Sequence, residues 1–314
     1  MRALRATRGS RAEIVDEDEP VGEGVLVDVT FSSLNYKDAL AVTGRPGVIR
    51  ADTLIAGIDL VGTRRDTGER VLVNGCGLGE THDGGLADVA RVPQEWLVPV
   101  PSRMTDAQAA AIGTAGYTAA LCVLALDGAV AGDEAGEIVV TGATGGVGSI
   151  AIALLSTGGR EVAAVTGKSG AHDYLRELGA TTIVDRAELE SPGKPLQTER
   201  WAGAVDTVGG SVLANILSQT RYGGTVTACG LAGGTDVTAS MMPFILRAVS
   251  LVGINSVYTP RERRLAAWTL LDHRLDLGLL DRLTASIGLD GVVPAAERMI
   301  AGETTGRTIV DVRR

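Results

Sequence analysis

The sequence predicts an α/β protein in two parts, a strand-rich N-terminal region followed by a doubly wound parallel sheet. Three observations carry that prediction. Over roughly the first hundred residues the apolar runs are short and punctuated by glycine and proline, with no long helical pattern. Beyond them, strand-like and helix-like runs alternate in the rhythm of βαβ units. Finally, "EIVVTGATGGVGSIAIALL" places Gly142, Gly145 and Gly148 between a strand pattern and a helix pattern.

Taken in order, "EGVLVDVTF", "LIAGIDLVGT", "ERVLVNG", "LADVARVP" and "WLVPVP" read as strands of the first part. "TDAQAAAIGTAGYTAALCVLAL" is the first long helical pattern. Strand–helix pairs follow: "EIVVTG" with "SIAIALLSTG", "EVAAVTG" with "AHDYLRELGA", "TIVD" and "GAVDTVGG" with "SVLANILSQT", and "GTVTACG" with "MMPFILRA", then the strand "SLVGINSV". The tail reads helix, helix, strand, and its last strand is placed to pair back with the first part. "ELESPGKPLQ", 188 to 197, reads as a loose loop, and Trp201 as a sheet-packing residue.

Composition narrows the function classes. The 314 residues are 45% hydrophobic and 21% charged, as expected of a globular protein. A net charge of −9 argues against nucleic acid or an anionic membrane as main partner, while leaving room for a phosphorylated small molecule bound by a local cluster. Cys76, Cys122 and Cys229 are odd in number and widely spaced, so a reduced, cytoplasmic setting is expected rather than a disulfide framework. "MRALRATRGS" lacks a signal-peptide core, and no apolar run approaches the about 18 residues of a membrane span.

The glycine triplet has a physical purpose: it permits a tight turn and lets backbone N–H groups approach a pyrophosphate at a helix N-terminus. Candidate contacts are Gly142, Thr144, Gly145, Gly146, Val147 and Gly148. An NAD site places a carboxylate about 20 residues on, for the ribose 2′-OH. Here the next strand ends in Thr166, Gly167, Lys168 and Ser169, without an acid. A cation among hydroxyls suits a 2′-phosphate, so NADP(H) is the expected cofactor; the competing reading is an ordinary polar turn.

No metal is expected, since the cysteines and His82, His172 and His273 show no zinc-ligand spacing. His82 reads as a loop hydrogen-bonder. One further stretch, "FSSLNYKDALAVTG", breaks from apolar alternation into Ser32, Ser33, Asn35, Tyr36, Lys37 and Asp38. It reads either as helix capping or as the wall of an active site, with Lys37 and Asp38 pairing with each other or capping the helix.

The β-rich start, "VTGATGGVG", "VDTVGG" and the returning last strand together resemble the medium-chain dehydrogenase/reductase superfamily. Where its zinc alcohol dehydrogenases carry Gly-His-Glu, this chain has "AGIDLVG", with Ile58 and Asp59 in place of the histidine and glutamate. That departure places it among zinc-independent, quinone-oxidoreductase-like members. "SSLNYKDALAVTG", "GLGETHDGG", "RWAGAVDTVGG" and "PFILRAVSLVGINSV" are closest to the NADPH-dependent acryloyl-CoA reductase subgroup.

The resemblance implies a GroES-like β-barrel catalytic domain, 1–108 completed by 259–314, and a Rossmann domain at 109–258. It implies a homodimer with the cofactor between the domains, and NADPH contacts from Tyr36, the 144–147 loop, 167–169, Leu231, Ser256 and, more weakly, Arg221. Tyr36 and Asn35 are the catalytic candidates: an amide to hold the substrate carbonyl, and a phenol to fix the nicotinamide ribose or relay a proton. The arginines at 247, 261, 263 and 264 are candidate cations for the phosphates of CoA. Two departures touch the pocket: Cys76, Asp83 and Leu86 stand where larger rings are typical, and "AGETTGRTIVDV" lacks a cofactor-reaching asparagine. The implied function is NADPH-dependent reduction of the C=C bond of acryloyl-CoA or a similar short enoyl thioester. The alternatives are a quinone or enone acceptor, and an NADPH-binding protein with little catalysis.

Overall fold

In the computed structural model, which describes residues 1–129 and 136–314, the chain divides into two units. The first comprises Met1–Tyr117, Ser256–Leu265 and Leu277–Arg314; the second comprises Thr118–Asn255 and Ala266–Asp276. The division expected at 108/109 falls inside the helix Asp106–Ala129, whose first turns belong to the first unit.

In the first unit the alternation of "EGVLVDVTF" becomes the strand Val25–Ser33, which pairs antiparallel with Asp59–Arg64 and Val89–Val92. Asp59–Arg64 continues to Arg70–Asn74 and then to Val98–Pro99. As expected, the last strand, Arg307–Asp311, returns to this sheet and lies against Val25–Ser33 in the register Ile309↔Ser33. Its outer neighbour Thr284–Gly288, like the helix Leu277–Arg282, was not foreseen. The apolar run "LIAGIDLVGT" divides: Thr53–Ile55 joins a separate three-stranded sheet with Arg2–Thr7 and Glu13–Asp16, while Asp59–Arg64 enters the large one. The break is at Gly57, whose φ of +106° and close approach to the Leu86 backbone no side chain would permit. Leu34, Leu60, Val73, Leu78 and Val310 are among the residues that fill the core.

The second unit is a six-stranded parallel sheet in the order Thr182–Asp185, Val162–Thr166, Ile138–Val140, Trp201–Asp206, Thr220–Ala228, Ser250–Gly253. Every predicted βα pair is present. Trp201 is fully buried in the core, with its indole N–H on Gln219 Oε1 at 2.9 Å. The 188–197 segment is tethered rather than loose: the buried amide of Asn215 donates to the carbonyls of Leu189 and Ser191, both at 2.8 Å. The helix Asp106–Ala129 is long and apolar enough to cross a membrane, but 83% of its apolar window is buried inside the protein, as befits a core helix.

Candidate active site

In the second unit the carboxyl ends of the parallel strands gather three glycine-bearing loops. The phosphate loop leads into the helix Gly146–Thr157, with Gly145 as its N-cap. Gly142 adopts φ +56°, and a Cβ on it would overlap Thr207 Oγ1. A Cβ on Gly148 would overlap the Gly142 carbonyl oxygen and lie 2.8 Å from Ala143 Cα. Gly142 and Gly148 are therefore positions that only glycine can fill, and the backbone cradle they form with Gly145 fits a pyrophosphate.

Asp206, fully buried, holds the cradle from beneath. One carboxylate oxygen accepts the Thr141 hydroxyl at 2.7 Å and the other the Gly209 N–H at 2.8 Å. Thr207 closes the loop, its N–H donating to Thr141 Oγ1 and its hydroxyl to the Thr141 carbonyl, both at 3.0 Å. Gly230 packs against Thr207, and the Gly233 N–H reaches the Val208 carbonyl at 2.7 Å, leaving Leu231 exposed at the same end of the sheet. Gly167, Lys168 and Ser169 follow directly from Val162–Thr166, with the Lys168 N–H on Thr166 Oγ1 at 3.0 Å. Partial burial lowers the Lys168 ammonium from its ordinary pKa. Arg221 is a correction: its guanidinium lies against Gly136, before the strand Ile138–Val140, at the opposite end of the sheet from the phosphate loop.

The first unit holds a buried polar network that the sequence only half revealed. Asp59, where the zinc enzymes' glutamate would stand, is its centre. One carboxylate oxygen accepts from Asn74 Nδ2 at 2.7 Å and the Thr114 hydroxyl at 2.6 Å. The other accepts from Asn35 Nδ2 and the Thr114 N–H, both at 2.8 Å, and from the Ser33 hydroxyl. The Thr114 N–H is available because Gly113 breaks the helix with φ 49° and ψ −160°. Arg307, buried on the returning strand, donates to the Ala111 carbonyl and to Asn35 Oδ1.

Asn35 therefore faces inward. Its amide nitrogen also lies 3.1 Å from Asp38 Oδ2, so its two protons are committed to buried acceptors rather than free for a substrate carbonyl. Asn35 caps the helix Tyr36–Val42, and Asp38 returns to accept the Asn35 N–H at 2.9 Å. Tyr36, the first helical residue, is 46% exposed. Lys37 pairs with Glu80 at 2.7 Å, not with Asp38. The polar run is thus a cap on its buried side and a surface at Tyr36.

Burial, followed by the neighbouring charge of Asp59, pushes the Asp38 carboxyl up to about 7, against the donors Asn35 and Ile58 N–H. Its ordinary value is 3.8. Between these values the folded state holds a proton that the unfolded chain has released, so this group's contribution to stability falls as pH rises. Asp38→Asn keeps the shape and cannot ionise. It should gain on the parent by about 1.4 kcal/mol per pH unit from pH 4 to 7, read from urea midpoints. A pH-independent difference would contradict the assignment.

The remaining candidates fall into structural roles. His82 Nδ1 faces the Asp83 carbonyl at 3.0 Å and its ring meets Trp96 edge-on. Asp83, though exposed, accepts the Ile55 N–H at 2.8 Å, and Leu86 is wholly buried, so of these two departures from the subgroup Leu86 packs the core and Asp83 pins a strand end. Cys76 is half-buried at φ +55°. Arg247 is bound to the carbonyls of Gln197, Ser218 and Thr220, Arg261 to those of Glu95 and Leu97, and Arg264 to that of Asn74. As candidate CoA cations these three are corrected: they fasten the backbone. Ser256 belongs to the first unit, where its carbonyl accepts from Arg264.

Comparison with known proteins identifies this arrangement. A family model described as zinc-binding dehydrogenase matches residues 146–272. The chain is 48% identical to "Probable acrylyl-CoA reductase AcuI" of Escherichia coli, over 96% of this chain and 94% of that one. The chain belongs to the zinc-binding-dehydrogenase-like branch of the medium-chain dehydrogenase/reductase family. Within the family it is also 42% identical to "Putative quinone oxidoreductase YhfP" of Bacillus subtilis, over 95% of this chain and 92% of that one. The crystal structure of the yhdH oxidoreductase from Salmonella enterica, in complex with NADP, superposes with a TM-score of 0.95 at 46% identity, covering 99% of this chain and 100% of that one.

Zinc chemistry does not fit the residues present. Among the described residues no three of His, Cys, Asp and Glu come together as a metal site. Both oxygens of Asp59 already accept from N–H and O–H donors, leaving it unsuited to ligation.

Proposed function

We propose that this chain is an NADPH-dependent reductase of the C=C bond of a short α,β-unsaturated acyl thioester, with acryloyl-CoA as the type substrate, working without zinc in the cytoplasm. The carrying observation is the 48% identity, over 96% of this chain, to "Probable acrylyl-CoA reductase AcuI" of Escherichia coli. The glycine cradle and the acid-free turn at 166–169 support the cofactor, and three free cysteines agree with the compartment. Gly142, Thr144 to Gly148 and Gly167 to Ser169 would hold the cofactor's phosphates, with Leu231 and Ser256 as further contacts. When bound, NADPH supplies a hydride for one carbon of the double bond.

The chain's own part is to place a proton and fix its source. Tyr36 carries the exposed phenol at a helix start whose cap, Asn35, is held by the Asp59 network. We assign Tyr36 to proton relay and Asn35 to positioning it. Tyr36→Phe should lower kcat by about 100-fold with NADPH affinity unchanged. An equal loss of affinity would make Tyr36 a cofactor contact instead.

A second acceptor reading, quinone or enone, draws on the relative YhfP. Purified protein consuming NADPH rapidly with acryloyl-CoA, and slowly with a small benzoquinone, supports the thioester. Turnover confined to the quinone overturns it, and none with either acceptor favours a cofactor-binding protein.

The assembly proposed is a homodimer through the edge strand Ser250–Gly253. That edge is unpaired within the described residues, and Leu251, with Met241, Met242, Ile245 and Leu246 nearby in sequence, is exposed. Leu251→Arg should convert a dimer to a monomer in light scattering. A parent protein that is already monomeric would contradict the assembly.

A further inference from the structure

We infer that Arg186 is the second cation of the 2′-phosphate site, held in reserve by Glu190 until NADPH arrives. The inference rests on the NADPH reading above and names a residue that the sequence did not single out.

The geometry begins with the sheet. Val162–Thr166 and Thr182–Asp185 are parallel neighbours in the register Thr166↔Asp185. Their carboxyl ends therefore emerge side by side, Gly167 beyond one and Arg186 beyond the other. The Arg186 N–H donates to the Thr166 carbonyl at 3.1 Å, which ties the two ends together. The Arg186 guanidinium then lies over Gly167: a Cβ built there would be 3.2 Å from Cζ, 3.2 Å from Nη2 and 3.3 Å from Nε. Three nearly equal distances mean that the plane faces the glycine. A side chain at 167 would push the guanidinium away from this turn.

The same turn carries Lys168 and the hydroxyls of Thr166 and Ser169, and it follows the strand after the phosphate loop, where the adenosine ribose sits in this fold. A lysine offers a point charge, whereas a planar guanidinium grips phosphate oxygens through two parallel N–H bonds. The Arg186 side chain is 56% exposed and pairs with Glu190, whose carboxylate lies 2.6 Å from Nε. Other carboxylates at this edge are engaged elsewhere: Asp185 accepts the Ala187 N–H at 2.9 Å, and Glu188 pairs with Arg200. A solvent-exposed i,i+4 pair is weak, so a phosphate dianion displaces Glu190 at small cost. NADH, with a 2′-hydroxyl, gains nothing from that exchange.

The test is calorimetric binding of NADPH and NADH to the parent chain, Arg186→Ala and Glu190→Gln, with 2′,5′-ADP against 5′-AMP as probes of the same subsite. Arg186→Ala should weaken NADPH and 2′,5′-ADP by about 10- to 100-fold. Glu190→Gln should tighten both by about two- to fivefold, because the competitor for the guanidinium is gone. NADH and 5′-AMP should bind all three proteins alike, which also shows that the variants are folded. A parent that prefers NADPH, with neither variant altering that preference, overturns the role of Arg186 and leaves the cofactor reading intact. A parent without preference for NADPH removes the cofactor reading, and the inference with it.

Discussion

Asp59→Ala is expected to lower the free energy of unfolding by about 3–5 kcal/mol, the loss typical of removing one partner from a buried charged network. The reason is the number of donors left behind. Asn35, Asn74 and Thr114 each donate to this carboxylate at 2.6–2.8 Å, and an alanine side chain offers them no acceptor in its place. Arg307 would lose a neighbouring negative charge while remaining buried. The change also removes one of the acceptors that hold the Asn35 amide, so the start of the helix Tyr36–Val42 is less firmly anchored and activity falls even where the protein remains folded. Asp59→Asn keeps one acceptor oxygen and should cost less. Urea unfolding gives the magnitude. Hydrogen exchange should show that the loss is concentrated in segments around 33–38, 59–74 and 111–114. A shift smaller than about 0.5 kcal/mol, typical of surface sites, would mean that the network is not what holds the unit together.

Gly148→Ala is expected to weaken NADPH binding by about 10- to 100-fold, from strain of about 1–3 kcal/mol placed in the cradle. The added methyl would overlap the Gly142 carbonyl oxygen and crowd Ala143 Cα at 2.8 Å, and both are backbone atoms that cannot rotate away. The loop must then move as a whole, taking with it the N–H groups at the start of Gly146–Thr157. Stability in the absence of cofactor should change far less than affinity. Calorimetry measures the affinity directly, and the thermal shift produced by saturating NADPH should shrink in parallel. Affinity within twofold of the parent would contradict the cradle.

How much was legible beforehand follows from what each signal measures. The βα alternation and the glycine triplet are local patterns, written in consecutive residues, and the sheet and cradle followed from them. The polar run at 32–38 was legible as a place but not as a division of labour. Which groups face inward depends on partners 20 to 270 residues away, among them Ile58, Asp59 and Arg307. Asp59 itself read only as a missing glutamate, because its importance lies in five donors converging from three separate segments.

Arg2–Thr7 was missed as a strand because two of its outward positions are arginines, although Ala3, Leu4 and Ala6 are buried. Arg221, Arg247, Arg261 and Arg264 show the same limit from the other side. A cation in sequence carries no address, and Arg247, Arg261 and Arg264 turned out to fasten backbone carbonyls. Arg186 had no motif to announce it, and only the register of two parallel strands brings it to Gly167.

The reaction proposed for this chain is zinc-independent transfer of hydride from NADPH to an activated C=C bond. Its most direct test uses NADPH deuterated at both C4 positions, acryloyl-CoA, and protein treated with a strong chelator, followed by mass spectrometry of the acyl product. The expected product is propionyl-CoA carrying one deuterium at C3, formed at the same rate with and without chelation. Oxidation of NADPH without labelled propionyl-CoA, or activity lost on chelation and restored by zinc, would contradict it.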